Sequence, residues 1–410
     1  MLKNYFKIAI AVLKRRKFFT FISLFGISLT LTILMVATAF VDNILSPDYP
    51  DYKRDRSLYI RRMEFQNSKE GWMNNSNVSY YFLDHYVSKL KQVDKMAIST
   101  SPKSSNAYVR NKKIVIEYKY INADFWNVLE YNFLEGKPFS KKEIDNAELV
   151  AVISKETKDA YFGDEKSVVG KYISADNINY RVIGVVDNVS QILGDIAGDM
   201  YLPYTLSREV SGTNLMGSFT AILLAKSKAD VPAMQAEFDQ MIKKVPLPSK
   251  EFDRLYCNAD TYMSRLTRSI KGSATDAAVA KVVSLCALLV LLFLLLPTIN
   301  LVNINITRIL VRSSEIGVRK AFGASSKTLV YQFLVENMIL TFLGAFIGVV
   351  LSAVTIKLIN KANLISNMHL SINLTVLFYS LIACLFFGLI SGVYPAWIMS
   401  RLNVVKALKG

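Results

Sequence analysis

The 410-residue chain has two histidines, His85 and His369, and three cysteines, Cys257, Cys286 and Cys384. So few imidazoles argue against a multi-histidine metal centre or a histidine-based nucleophile triad. His85 reads as a solvated residue on an amphipathic helix. No cysteine spacing resembles a metal site, and Cys286 and Cys384 lie in apolar runs, so Cys257 has no disulfide partner in the stretch before them. A phosphate-binding loop is missing as well. It requires G-x-x-x-x-G-K-[ST], so that backbone amides cradle phosphates and a hydroxyl binds Mg²⁺. Before Gly170-Lys171 the nearest glycine, Gly163, is too distant, and Tyr172 stands where Ser or Thr belongs. After Gly136-Lys137 that place is taken by Pro138. Acids are scarce beside bases, 33 against 49, and no spacing selects a catalytic carboxylate pair. The expectation is a chain with no catalytic residue and no metal site, which does not hydrolyse ATP itself.

Apolar sequence is abundant: 52% of residues are hydrophobic and the mean hydropathy is +0.27. Four runs, 18–41, 282–302, 333–356 and 374–398, reach the roughly 20 residues that a bilayer span needs. They predict an α-helical membrane protein with four transmembrane helices and a large α+β extracytoplasmic domain inserted between the first and second. Run 18–37 exceeds the 7–15 residues or so of a signal-peptide core, so it reads as an uncleaved anchor.

The formal charge of +16 is sorted along the chain. Lys3, Lys7, Lys14, Arg15, Arg16 and Lys17 precede the first run without an acid. Arg308, Arg312, Arg319, Lys320 and Lys327 stand against Glu315 between the second and third runs, and Arg401, Lys406 and Lys409 follow the fourth. Short basic segments stay inside, whereas long domains translocate regardless of charge. Both termini and segment 303–332 are therefore expected inside and 42–281 outside, with Lys357 and Lys361 in loop 357–373 as a minor dissent. Such sorting disfavours nucleic acid as the partner of this positive charge. Residues 1–17 carry Leu2, Phe6, Ala9 and Leu13 on one stripe, the pattern of a helix lying on the inner leaflet, and 399–410 form a cytoplasmic tail.

Within 42–281, "SLYIRRMEF", "KKIVIEYKYI" and "FTAILLAKS" read as strands. Ser79 is a candidate N-cap, as is Asp230 ahead of Pro232. A block of different texture, about 122–207, reads as a subdomain inserted into one formed by about 50–121 and 208–254, with a stalk helix over about 255–281. Pro297 predicts a kink, and Asn300, Asn303 and Asn305 mark the wet end of the second span.

Inside the apolar runs, Gly344-x-x-x-Gly348 and Gly388-x-x-x-Gly392 permit close backbone approach, either as helix packing in one bundle or as a dimer seam. Glu336 is expected near the membrane interface, paired with a loop cation. Tyr394, Pro395 and Trp397 suit an aromatic belt. Between the runs, Arg308, Arg312, Glu315 and Arg319 form one polar helical stripe, and Val311, Val318 and Phe322 a second, apolar one. Gly323 can end this helix in a left-handed cap and Ser325 or Ser326 can start the next.

"EIGVRKAFGAS" followed by "QFLVEN" resembles the cytoplasmic signature of the MacB/FtsX-type ABC transporter permeases. "YPAWIMSRLNVVKALKG" is similar to that family's C-terminus, and "LEGKPFS", "VAVIS", "YFGDEKSVVGKYI" and "YRVIGVV" to its periplasmic core domain. The resemblance implies a permease in a bacterial inner membrane that works as a dimer, homomeric or with a homologous permease. A separate cytoplasmic ABC ATPase would bind ATP and Mg²⁺ and drive motion through the membrane to the outer domain. It also implies that Arg312, Glu315, Gly317, Arg319, Ala321, Gly323 and Ala324 form the ATPase-facing segment. Efflux with a periplasmic adaptor and an outer-membrane channel is one implied role. A regulator of a cell-wall hydrolase, as in FtsX, and a lipoprotein-extraction component of the LolC/LolE kind are the others. The fused N-terminal ATPase of MacB itself is the feature this sequence departs from.

Overall fold

A computed structural model describes residues 10–11, 13–15, 17–109, 112–190, 193–271, 276–311, 313–323, 325–363 and 367–400. The first element with a full range is α1 (Lys17–Leu45), then β1 (Ser57–Asn67), β2 (Trp72–Val78), α2 (Tyr80–His85), β3 (Val93–Thr100), β4 (Lys103–Val109) and β5 (Lys112–Ile121). Next come α3 (Asp124–Val128), β6 (Phe133–Gly136), α4 (Lys141–Asp145), β7 (Val150–Ser154), α5 (Lys155–Phe162), β8 (Tyr172–Ala175), β9 (Ile178–Val186) and β10 (Met200–Pro203). It ends with β11 (Met216–Gly217), β12 (Phe219–Ala225), α6 (Val231–Ile242), β13 (Arg254–Asp260), α7 (Tyr262–Lys271), α8 (Asp276–Val311), α9 (Ser313–Ala321), α10 (Ser326–Ala362) and α11 (Leu374–Ser400). Two compact units result: a sheet unit, Ser46–Val279 with Ile365–Met368, and a helical unit made of the rest.

The sheet unit is built on one sheet ordered β11-β2-β1-β12-β3-β5-β10-β7-β9-β6, with β13 added to β1, β4 to β5 and β8 to β9. The central strands β7 and β12 are buried along their whole length, which is why both read as nearly continuous apolar runs, interrupted only by Ser154 and Thr220. Helices α2 and α6 place Phe82, Met234 and Phe238 on a core with Leu58, Ile60 and Leu223. Beyond β5, Phe125, Phe139 and Tyr201 fill a second core and Phe162, Tyr180 and Val182 a third.

Three expectations change here. Ile116, Tyr118 and Tyr120 of β5 share a core with Ile153, Val182 and Met200, and β5 pairs in parallel with β10, so a subdomain boundary after residue 121 cuts through that packing. Residues 254–260, expected partly as stalk helix, are a strand. "RLYCNAD" alternates, with Leu255, Cys257 and Ala259 packed inward, and pairs with β1 from Tyr59↔Asp260 to Gln66↔Arg254. The helix starts only at Tyr262. Finally, the Asp230 carboxylate accepts from Ser227 N at 3.1 Å and Ser227 Oγ at 2.7 Å, capping the turn before α6 instead of α6 itself.

In the helical unit, three helical segments among the described residues are long and apolar enough to cross a membrane: Lys17–Leu45, Ser326–Ala362 and Leu374–Val393. The expected span 282–302 lies on α8, whose side chains are described only in part. Of the expected N-terminal helix, residues 10, 11 and 13–15 are described and helical, and 401–410 lie outside the described residues. Helix α1 buries Ile27, Leu31 and Met35. A Cβ added to Gly344 would meet Ile27 Cβ at 2.7 Å, and one on Gly348 would meet Leu31 Cβ at 2.9 Å. These glycines therefore let α10 approach α1 within one chain.

Candidate coupling site

Helix α9 has nine residues, too few to persist alone in water. Its position is fixed at both ends. Gly323, at φ +87°, donates from its N–H to Lys320 O at 3.0 Å, and a side chain at that backbone angle would be strained. Ser325 Oγ then accepts from Thr328 N at 3.2 Å and starts α10. Ile316 packs on Leu329 and Phe333, and Arg319 Nη1 donates to Gln332 Oε1 at 3.2 Å. The result is an elbow in which α9 is braced against the first turns of α10.

The other face of the elbow is open. Phe322 is 89% exposed, and Val318, Ala321 and Val311 are exposed as well. Gly317 is buried. Arg312 and Ala324 lie outside the described residues; Glu315 is on α9, but its side chain, like that of Arg308, is outside them. The polar stripe is therefore represented by Arg319 alone, reaching α10. Glu336 is buried one turn beyond Gln332.

A second feature was not legible as a site. Asn305 Nδ2 donates to Asn337 Oδ1 and to Ser391 O, each at 3.2 Å, while Asn337 Nδ2 donates to Gly388 O at 2.6 Å. This node joins α8, α10 and α11 and buries Asn305, expected at a wet end, to 1% exposure. Gly388 and Gly392 make room for it: added Cβ atoms would lie 2.6 Å from Thr341 Oγ1 and 2.7 Å from Asn337 Nδ2. Among the described residues Asn305 Oδ1 has no hydrogen-bond partner. The signal available in the sequence was a set of amides at the ends of apolar runs.

In the sheet unit, the segment after α1 meets α7, the helix that precedes α8 in the chain. Asp51 Oδ2 accepts from Tyr59 OH at 2.6 Å and Arg54 Nε at 3.0 Å, and the Arg54 guanidinium lies 3.7 Å from the centre of the Tyr262 ring. Burial pushes the Asp51 carboxyl above the usual carboxylate range, opposed by Tyr59 and Arg54. Arg265 Nη1 donates to Asp195 Oδ2 at 2.8 Å, and Arg268 makes a bidentate pair with Asp260 at 2.7 and 3.0 Å. Helix α7 is thus tied to β13 and to the turn carrying Asp195. Among the described residues no cluster of three or more His, Cys, Asp or Glu side chains could hold a metal ion.

Residues 20–241 match the family described as MacB-like periplasmic core domain, and residues 287–404 match the FtsX-like permease C-terminal family. The macrolide export ATP-binding/permease protein MacB of Campylobacter jejuni is 26% identical over 277 residues, covering 67% of this chain and 41% of that protein. Its counterpart in Salmonella choleraesuis is 25% identical over 335 residues, covering 79% and 49%. The chain therefore spans less than half the length of these curated relatives. Among solved structures, the periplasmic region of MacB from Actinobacillus actinomycetemcomitans is similar at 17% identity and TM-score 0.37, covering 54% of this chain and 94% of that one.

Proposed function

Because the chain belongs to the family of the MacB-like periplasmic core domain, with an FtsX-like permease segment after it, we propose that it relays ATP-driven motion from a cytoplasmic ATPase to its sheet unit. The family is that of ABC transporter permeases, whose hydrolytic step belongs to the ATP-binding component. In this reading ATP and Mg²⁺ sit in a partner chain, and this chain contributes no catalytic group. Helices α1, α8, α10 and α11 are the four spans, both termini are cytoplasmic, and the sheet unit faces the periplasm of a bacterial inner membrane. Two permease copies work as a dimer, and export of a cargo is the output that the names of the relatives support.

The observation that carries the reading is the elbow. A short helix and the turn that ends it, which present Val318 and Phe322 to solvent and are braced by Ile316 and Arg319, suit a handle for a partner. Exposed apolar side chains that gather into a contiguous patch mark interaction surfaces. A push on α9 passes into α10 through the Ile316–Leu329–Phe333 contact, because the Gly323 cap and the Ser325 cap leave little slack. From α10 it reaches α8 and α11 through Asn337. Helix α8 follows α7, which is held to the sheet unit by its two arginine–aspartate pairs.

The test is ATP hydrolysis by the complex of this chain with the ATPase that co-purifies with it. Phe322→Asp and Glu315→Lys are expected to leave the chain inserted and dimeric while lowering permease-stimulated hydrolysis at least about tenfold, the loss of roughly 1.4 kcal/mol of interaction. Normal stimulated hydrolysis in both variants would refute the coupling role.

A further inference from the structure

The face of the sheet formed by β2, β1 and β13 holds an open trough of about 680 Å³. Its shape begins with an irregularity in β1. Ile60 pairs with Ala259 but Met63 with Cys257, so two residues, Arg61 and Arg62, occupy the place opposite Asn258. Such a bulge re-aims side chains. Here it sets two adjacent arginines, both exposed, along the trough in place of one on each face. Arg61 approaches Asp195 only at 3.5 Å. Arg265 and Arg268 form the end wall, already engaged by Asp195 and Asp260, so the available positive charge is at the bulge.

The rest of the lining is mostly amide, with the phenols of Tyr59 and Tyr256, the hydroxyl of Ser76 and the carboxylate of Glu64. Gln66, Asn75 and Asn258 line the trough, and among the described residues their side chains, like that of Arg62, have no hydrogen-bond or ion-pair partner. Tyr256, 43% exposed, offers its ring. Glu64, flanked by Asn75 and Tyr256 on the neighbouring strands, adds a carboxylate that can accept hydrogen bonds from hydroxyl groups. Pockets for drug-like apolar compounds are lined mostly by apolar and aromatic side chains, which this one is not. A lone phosphate would fill little of its volume. Amides supply a donor and an acceptor each, suited to hydroxyl groups, and a guanidinium binds a carboxylate in a fork.

We infer that this trough binds a segment of an acidic glycan, its carboxylate on Arg61 and Arg62 and its hydroxyls on Gln66, Asn75 and Asn258. The assignment does not depend on how the chain meets an ATPase. The experiment is calorimetric titration of the full chain in lipid nanodiscs with oligogalacturonate, a neutral dextran oligomer of matched length, and inorganic phosphate. Oligogalacturonate is expected to bind, dextran and phosphate to bind at least about tenfold more weakly. Arg61→Ala/Arg62→Ala should weaken the glycan at least about tenfold and Asn75→Ala/Asn258→Ala severalfold, in line with lost charge-assisted and neutral hydrogen bonds. Arg61→Lys/Arg62→Lys, which keeps charge but not the fork, should recover part of the affinity and separates site loss from misfolding. No binding of oligogalacturonate, equal binding of dextran or phosphate, or unchanged affinity in the double alanine variant would each overturn the assignment.

Discussion

At Lys119 the fold carries an ammonium group into the sheet unit with none of its surface exposed. Its Nζ donates to Gly194 O at 2.8 Å, next to the Asp195 that holds Arg265. Burial pulls its pKa from 10.5 down to about 7, against the fields of Asp195 and Glu117. A cation with a lowered folded pKa is protonated more readily in the unfolded chain, so its contribution is complete above 10.5 and lost as the pH falls through about 7. The stability of the sheet unit should therefore rise from about pH 7 to 9 through this group, by at most about 1.4 kcal/mol per pH unit. Lys119→Met should flatten that slope, measured as the unfolding midpoint against pH for both proteins. Equal slopes would show that Lys119 is charged in the fold. The sequence offered no hint of this, because "KKIVIEYKYI" alternates and the neighbours that bury Lys119 come from a turn some seventy residues away.

Among the elements, local chemistry was readable and long-range pairing was not. The Gly323 stop and the Ser325 start follow from turn and cap preferences that act within a few residues. The brace on α9 needed Ile316 to find Leu329 and Phe333, which periodicity cannot specify. The polar node was hidden for the same reason: Asn305, Asn337 and Ser391 are separated by dozens of residues, and Asn305 by itself looks like the wet end of a span. Strand β13 differs from the helix expected there because seven residues give little room to separate a two-residue period from a helical one. The tightness of the α10–α11 crossing gives a specific expectation. Gly388→Ala would press a methyl group on Thr341 and should cost about 1–3 kcal/mol of stability, seen as a lower unfolding midpoint in detergent. Adding Thr341→Ala should recover part of the loss; no recovery would mean that the clash lies elsewhere.

For the molecule as a whole, the four apolar runs and the sorted charge made a membrane protein with one large domain legible, and the MacB-like and FtsX-like matches place it in its family. What composition could not supply is the proposed route of motion. That proposed route runs through the elbow, the Asn337 node and the arginine ties of α7, with the partner entering at Phe322. A photo-crosslinking residue placed at position 322, in cells that contain the native membrane complex, tests this most directly. A crosslinked product containing an ATP-binding subunit of the ABC type is expected, and its loss when Glu315→Lys is added. Crosslinks to lipid alone, or to a protein without an ATP-binding domain, would contradict it.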